Sequence, residues 1–149
     1  EAAHEMAEWL LKPYLVTDLA DLKKKVMHLT AKGNQYLEDG QYANAAATYT
    51  QALALEAPNP RANAALYYNR SCAHHRLGRL WLALRDATLA AEADPRRSAR
   101  AWWRVADVAL ATGDIETAKE AVAKGLTAQP GCAPLKKIQA TIAADIAGI

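Results

Sequence analysis

Gly33 to Ala52 reads GNQYLEDGQYANAAATYTQA, and the fold follows from where its small residues recur. Gly33, Gly40, Ala45 and Ala52 return 38 residues later as Ser71, Gly78, Ala83 and Ala90. They return again 35 residues further on, as Ala106, Gly113, Ala118 and Gly125. Four ladders sharing the same two offsets mean one supersecondary unit present three times. Asp39-Gly40 is a natural turn, where glycine can take the positive φ that closes a tight bend between helices. Each unit therefore reads as helix, turn, helix, with short side chains where the two helices meet. Gly33 is expected against Ala45, and Ala106 against Ala118. Tyr36, Tyr49, Tyr67, Leu80 and Trp102 are expected to fill the gaps as core.

Working outward, the units occupy about 26–59, 64–97 and 99–132. Ala57-Pro58-Asn59-Pro60 breaks the first, Asp94-Pro95 the second and Pro130-Gly131 the third. The longer first offset predicts one extra helical turn between the first two units, at the start of the helix that opens near Arg61. Residues 133–149 form a capping helix, with Leu135, Ile138, Ile142 and Ile146 on one stripe and Lys136 and Lys137 on the other face. A terminal unit needs such a cap because it cannot bury its outer face alone. Residues 1–25 are a helical extension. Met6, Trp9 and Leu10 share a face of a short helix ended by Pro13, and Thr17 or Asp18 caps the helix that follows. The fold class is all-α: an α-solenoid of three units, an N-terminal extension and a C-terminal cap.

The bulk numbers narrow the function. Hydrophobic content is 52%, much of it alanine, and phenylalanine is absent, which favours closely packed helices over sheets. A formal charge of +2 gives no general attraction to nucleic acid or membrane. No apolar run approaches the roughly 20 residues of a membrane span, and no secretory signal pattern is present. Cys72 and Cys132 lack metal-ligand spacing and read as reduced thiols of a cytoplasmic protein. His74 and His75 are adjacent and so point to different faces, which argues against a metal pair. No constellation suggests an enzyme, a cofactor or a metal site. The run Lys23-Lys24-Lys25 reads as a solvated helix face. The chain opens on Glu1 rather than methionine, which suggests a piece of something longer.

Three short stretches carry a closer likeness. Ala31-Lys32-Gly33-Asn34 places an asparagine after the small packing glycine. Tyr67-Tyr68-Asn69-Arg70-Ser71 places a second asparagine in the next unit. Arg100-Ala101-Trp102-Trp103-Arg104 places two basic residues four apart in the third. On these residues, and on the repeat over about 26–145, the chain resembles tetratricopeptide repeat (TPR) domains of the carboxylate-clamp type, found in chaperone-binding co-chaperones. The resemblance implies a concave groove that binds the acidic C-terminal tail of seventy- or ninety-kilodalton heat-shock chaperones, ending Glu-Glu-Val-Asp. Asn34, Asn69, Arg100 and Arg104 are the implied peptide-binding residues. Thr30 stands where the family has a lysine.

The chemistry suits that ligand. A terminal aspartate offers two carboxylates. Arg100 and Arg104 lie one turn apart on one helix face, and arginine donates in a fixed fork that matches a carboxylate. Hydrogen bonds to charged groups contribute about 1.5–3 kcal/mol each. Three or four of them, less peptide ordering, approach the roughly −8 kcal/mol of a micromolar complex. Helical phase turns Tyr68 and Trp103 into the groove, and puts His75 and Arg76 further along it. Asp107, three residues after Arg104, is positioned to pair with it. The alternative is a scaffold whose groove holds a non-chaperone segment or its own N-terminal helix, and exchange of that helix between copies stays open.

Overall fold

The computed structural model describes the backbone of residues 2–148 and the side chains of residues 18–148. It contains α1 (Ala2–Glu38), α2 (Tyr42–Ala54), α3 (Pro60–Arg76), α4 (Leu80–Ala93), α5 (Ala99–Ala111), α6 (Ile115–Ala128) and α7 (Ala133–Ile146). A single 3-10 turn, Pro95–Arg97, precedes α5. There is no strand among the described residues. The strongest packing partners are α1 with α2, α3 with α4 and α5 with α6. Each pair also stacks on the next, and α7 covers α6 and α5. The chain is an all-α helical-repeat solenoid.

The expected turn chemistry is present. Gly40, Gly78 and Gly113 close the three bends with φ of 75°, 74° and 81°, a region that β-carbon-bearing residues avoid. The extra turn also lies where the offset placed it: α3 has 17 residues and its counterpart α5 has 13. α3 opens with Asn59 accepting from the Ala62 amide and with Pro60 at its first position, a start that satisfies an otherwise unpaired donor.

Two expectations change. The extension and the first helix of the first unit are one continuous helix, so Pro13 does not end it. Proline lacks an N–H and removes one backbone hydrogen bond there, a local cost the flanking turns can absorb. The face of Met6, Trp9 and Leu10 lies outside the residues whose side chains are described. The second change is an addition at Gly33, whose side-chain position faces the Tyr49 ring. A Cβ on Gly33 would stand 2.5 Å from Tyr49 Cε1, so the missing side chain makes room for a fully buried aromatic. Gly125 does the same for the cap, where a Cβ would meet Leu135 Cδ1 at 2.5 Å and Trp102 Cβ at 3.0 Å. Ala106 and Ala118 share one core cluster, as expected.

A buried ion pair joins the middle of the stack. Asp86 on α4 is fully buried and accepts from Arg70 Nε and Nη2 on α3, both at 2.7 Å. Arg70 Nη1 also donates to Thr50 on α2 at 3.0 Å, which links the first unit to the second. His74 Nε2 lies 3.6 Å from the same carboxylate. Ser71 occupies a ladder position because its hydroxyl donates to the Ala83 carbonyl at 2.7 Å, so a buried polar atom is satisfied.

Candidate peptide-binding groove

The first helices of the three units form one inner wall. A groove of about 620 Å³ opens on it, lined by Leu37 of α1, Tyr42 of α2, Cys72, His75 and Arg76 of α3, and Arg104 of α5. Arg104 is its best-placed cation. Its side chain is only 16% exposed. Its Nη1 donates to His75 Nδ1 at 3.3 Å and lies 3.9 Å from Asp107 Oδ2. Its Nε is buried and has no partner. Burial works against the charge, but Cys72, Tyr68 and Asp107 together more than offset it and keep the pKa above the usual arginine value. The guanidinium is therefore charged and only partly satisfied.

Asn34 and Asn69 meet. Asn34 Oδ1 accepts from the Tyr49 hydroxyl at 2.6 Å and from Asn69 Nδ2 at 3.2 Å. Burial, then Cys72, pushes the Tyr49 pKa up to about 12, so the phenol stays a donor and fixes which way the Asn34 amide faces. The amide hydrogens of Asn34 meet no acceptor among the described residues. Asn34 is three residues before Leu37, and Asn69 three before Cys72, so the pair lies one turn along the same wall from the groove lining.

The arginines four apart are divided between two cavities. Arg104 lines the larger groove. Arg100 lines a neighbouring one of about 300 Å³ with Tyr68, Trp103, Gln129, Cys132 and Pro134. The Tyr68 ring serves both: the Arg100 guanidinium carbon is 4.3 Å from its centroid and that of Arg104 is 5.5 Å away. Arg104 also lies 5.2 Å from the Trp103 ring. Arg76 stacks on Tyr42 at 5.9 Å. Thr30 gives its hydroxyl to the Val26 carbonyl at 2.7 Å, so it offers the groove no charge and no free proton. His74 turns away into the core while His75 faces the groove.

Leu37, Tyr42 and Cys72 also line the groove, and sequence reasoning did not assign them to it. Helical phase was the available signal, since Cys72 falls between Asn69 and Arg76 on one face of α3. Burial raises the Cys72 pKa against the pull of Arg104, Arg100 and Arg76, so the thiol stays protonated. Both cysteines are free. Among the described residues no cluster could hold a metal ion, and no helix is long and apolar enough to cross a membrane.

The fold and groove define a tetratricopeptide repeat domain, a protein-interaction module. The chain belongs to the SusR N-terminal TPR domain family, whose model matches residues 16–128. It is 35% identical over 102 residues to the heat-shock protein cognate co-chaperone sgt12 of Aspergillus fumigatus, covering 68% of this chain and 28% of that protein. It is 38% identical over 64 residues to human tetratricopeptide repeat protein 4, covering 43% of this chain and 16% of that one. The chain thus spans less than a third of these relatives. Among solved structures, the first TPR of Spaghetti (RPAP3) bound to the HSP90 peptide SRMEEVD has a TM-score of 0.73 and 27% identity, covering 83% of this chain and 94% of the other. The Aspergillus fumigatus Sgt2 TPR domain has a TM-score of 0.70 and 31% identity, covering 82% and 79%.

Proposed function

We propose that the groove binds the acidic C-terminal tail of a heat-shock chaperone and that the domain is the recruiting part of a cytoplasmic co-chaperone. The observation that carries this reading is Arg104: charged, mostly buried, with an unpaired Nε, on the lining of a groove large enough for a peptide end. A buried, incompletely satisfied guanidinium is costly unless an anion completes it. The terminal carboxylate would take Arg104 from its weak contacts with His75 and Asp107. The Asn34–Asn69 pair would donate to the tail backbone. Arg100, over the Tyr68 ring, would meet an acidic side chain at the neighbouring cavity. The likeness to a TPR bound to a peptide ending in EEVD supports the same ligand class.

The test is calorimetry with a peptide ending Glu-Glu-Val-Asp. Micromolar binding is expected, lost on amidating the peptide C-terminus. Arg104→Ala should weaken it about ten- to a hundredfold, the worth of a charge-assisted contact. An unresponsive domain, or one indifferent to amidation, would favour the scaffold alternative, with a different segment in the groove.

A further inference from the structure

Arg104 cannot accept a hydrogen bond, so in its 3.3 Å contact with His75 it is the donor whenever Nδ1 carries the lone pair. That arrangement is the tautomer with the ring proton on Nε2. In that state His75 occupies one of the donors a ligand carboxylate would use. Protonating Nδ1 breaks the contact and leaves two cations side by side. Among the described residues no carboxylate lies within ion-pair distance of His75, and Asp107 approaches Arg104 at 3.9 Å. The other charged or titratable groups facing His75 in the groove are Arg76 and Cys72 on its own helix and Tyr42 on α2. Leu37 supplies the α1 side and carries no charge. An incoming chain end with two carboxylates would favour a protonated His75.

We infer that His75 is a proton-gated part of the anion site: binding an acidic chain end takes up a proton on Nδ1, frees Arg104 from the imidazole and adds a second cationic donor. This rests on the groove being an anion-binding site. Because the bound form holds the proton more tightly than the free form, acidification strengthens binding. Affinity should rise as pH falls from 8 to 6, where ligand carboxylates with pKa near 4 stay ionised. The expected gain from pH 8 to pH 6 is about tenfold, the size of one charge-assisted contact.

Two measurements test it. Calorimetry of the Glu-Glu-Val-Asp peptide at pH 7, in buffers of different ionisation enthalpy, should show net proton uptake. His75→Gln keeps an oxygen acceptor for Arg104 but cannot take a proton, so it should bind with an affinity flat between pH 8 and pH 6. In parallel, NMR titration of the His75 ring with and without N-acetyl-aspartate, a minimal dicarboxylate, should show the ring holding its proton to higher pH when the anion is present. Peptide binding whose pH slope survives in His75→Gln, or a ring titration unmoved by the dicarboxylate, overturns the proton gate and leaves the tail-binding reading intact. A ring titration moved by N-acetyl-aspartate with no binding of the peptide has the opposite meaning, supporting the gate and sinking the chaperone-tail reading.

Discussion

At Thr30 a single side chain sets how strong the groove can be. Its hydroxyl is committed to the Val26 carbonyl one turn back, a common use of threonine inside a helix. The position lies on α1, four residues before Asn34, and so on the same helix face. Thr30→Lys would place a flexible ammonium there. We expect the peptide to bind about five- to a hundredfold tighter, one added charge-assisted contact, with thermal stability unchanged because the site is only half-buried. Calorimetry beside a thermal melt checks both halves, and an unchanged Kd would mean the tail does not pass this point. Gly33 and Asn34 show how close structural and functional roles lie in this chain. One makes room for the Tyr49 ring, and the next accepts the hydroxyl of that same ring.

Between elements, the decisive object is the α3–α4 pair, which buries Asp86 against Arg70 and keeps His74 beside it. His74 is 7% exposed, and its Nδ1 has no partner. Burial lowers its pKa, with Arg70, Arg79 and Arg85 adding to the effect and Asp86 opposing it. The unfolded chain therefore takes a proton on this histidine at higher pH than the folded one. The stability His74 contributes is present above the unfolded value near 6.5 and is lost as pH falls through it toward the folded value. We expect the melting temperature to drop between pH 7.5 and pH 5.5, and His74→Gln to flatten that slope. An equal slope in His74→Gln would assign the effect to other groups.

Across the whole molecule, stability depends on stacking, because each helix pair buries its faces only against its neighbours. The cap is the clearest case. Leu135 is fully buried, and its Cδ1 fills the space that Gly125 leaves open. It belongs to the same cluster as Val105, Ala106 and Ala118 of the third unit, with Trp102 packed against it. Leu135→Ala should cost about 2–5 kcal/mol, the range for a buried leucine truncation, read as a lower denaturant midpoint. Because Trp102 and Arg104 share α5, loosening the cap should also weaken peptide binding. A destabilised variant that binds at full affinity would show that the groove does not depend on the cap.

Repeat number, turn positions, the long α3 and the capping helix were all legible in the residues, since spacing of small residues and breakers is a local property that survives without coordinates. The residues proposed as donors were chosen by helical phase and the family likeness. Three matters were decided only in three dimensions. The Tyr49 ring fills the side-chain position of Gly33, Arg100 and Arg104 line separate cavities while both lie near the Tyr68 ring, and Arg104 rests on His75 from a different helix. Helical phase predicts which side of its own helix a residue occupies. It does not predict which side chain from another helix will occupy the space opposite, because that depends on how all the neighbouring volumes pack at once.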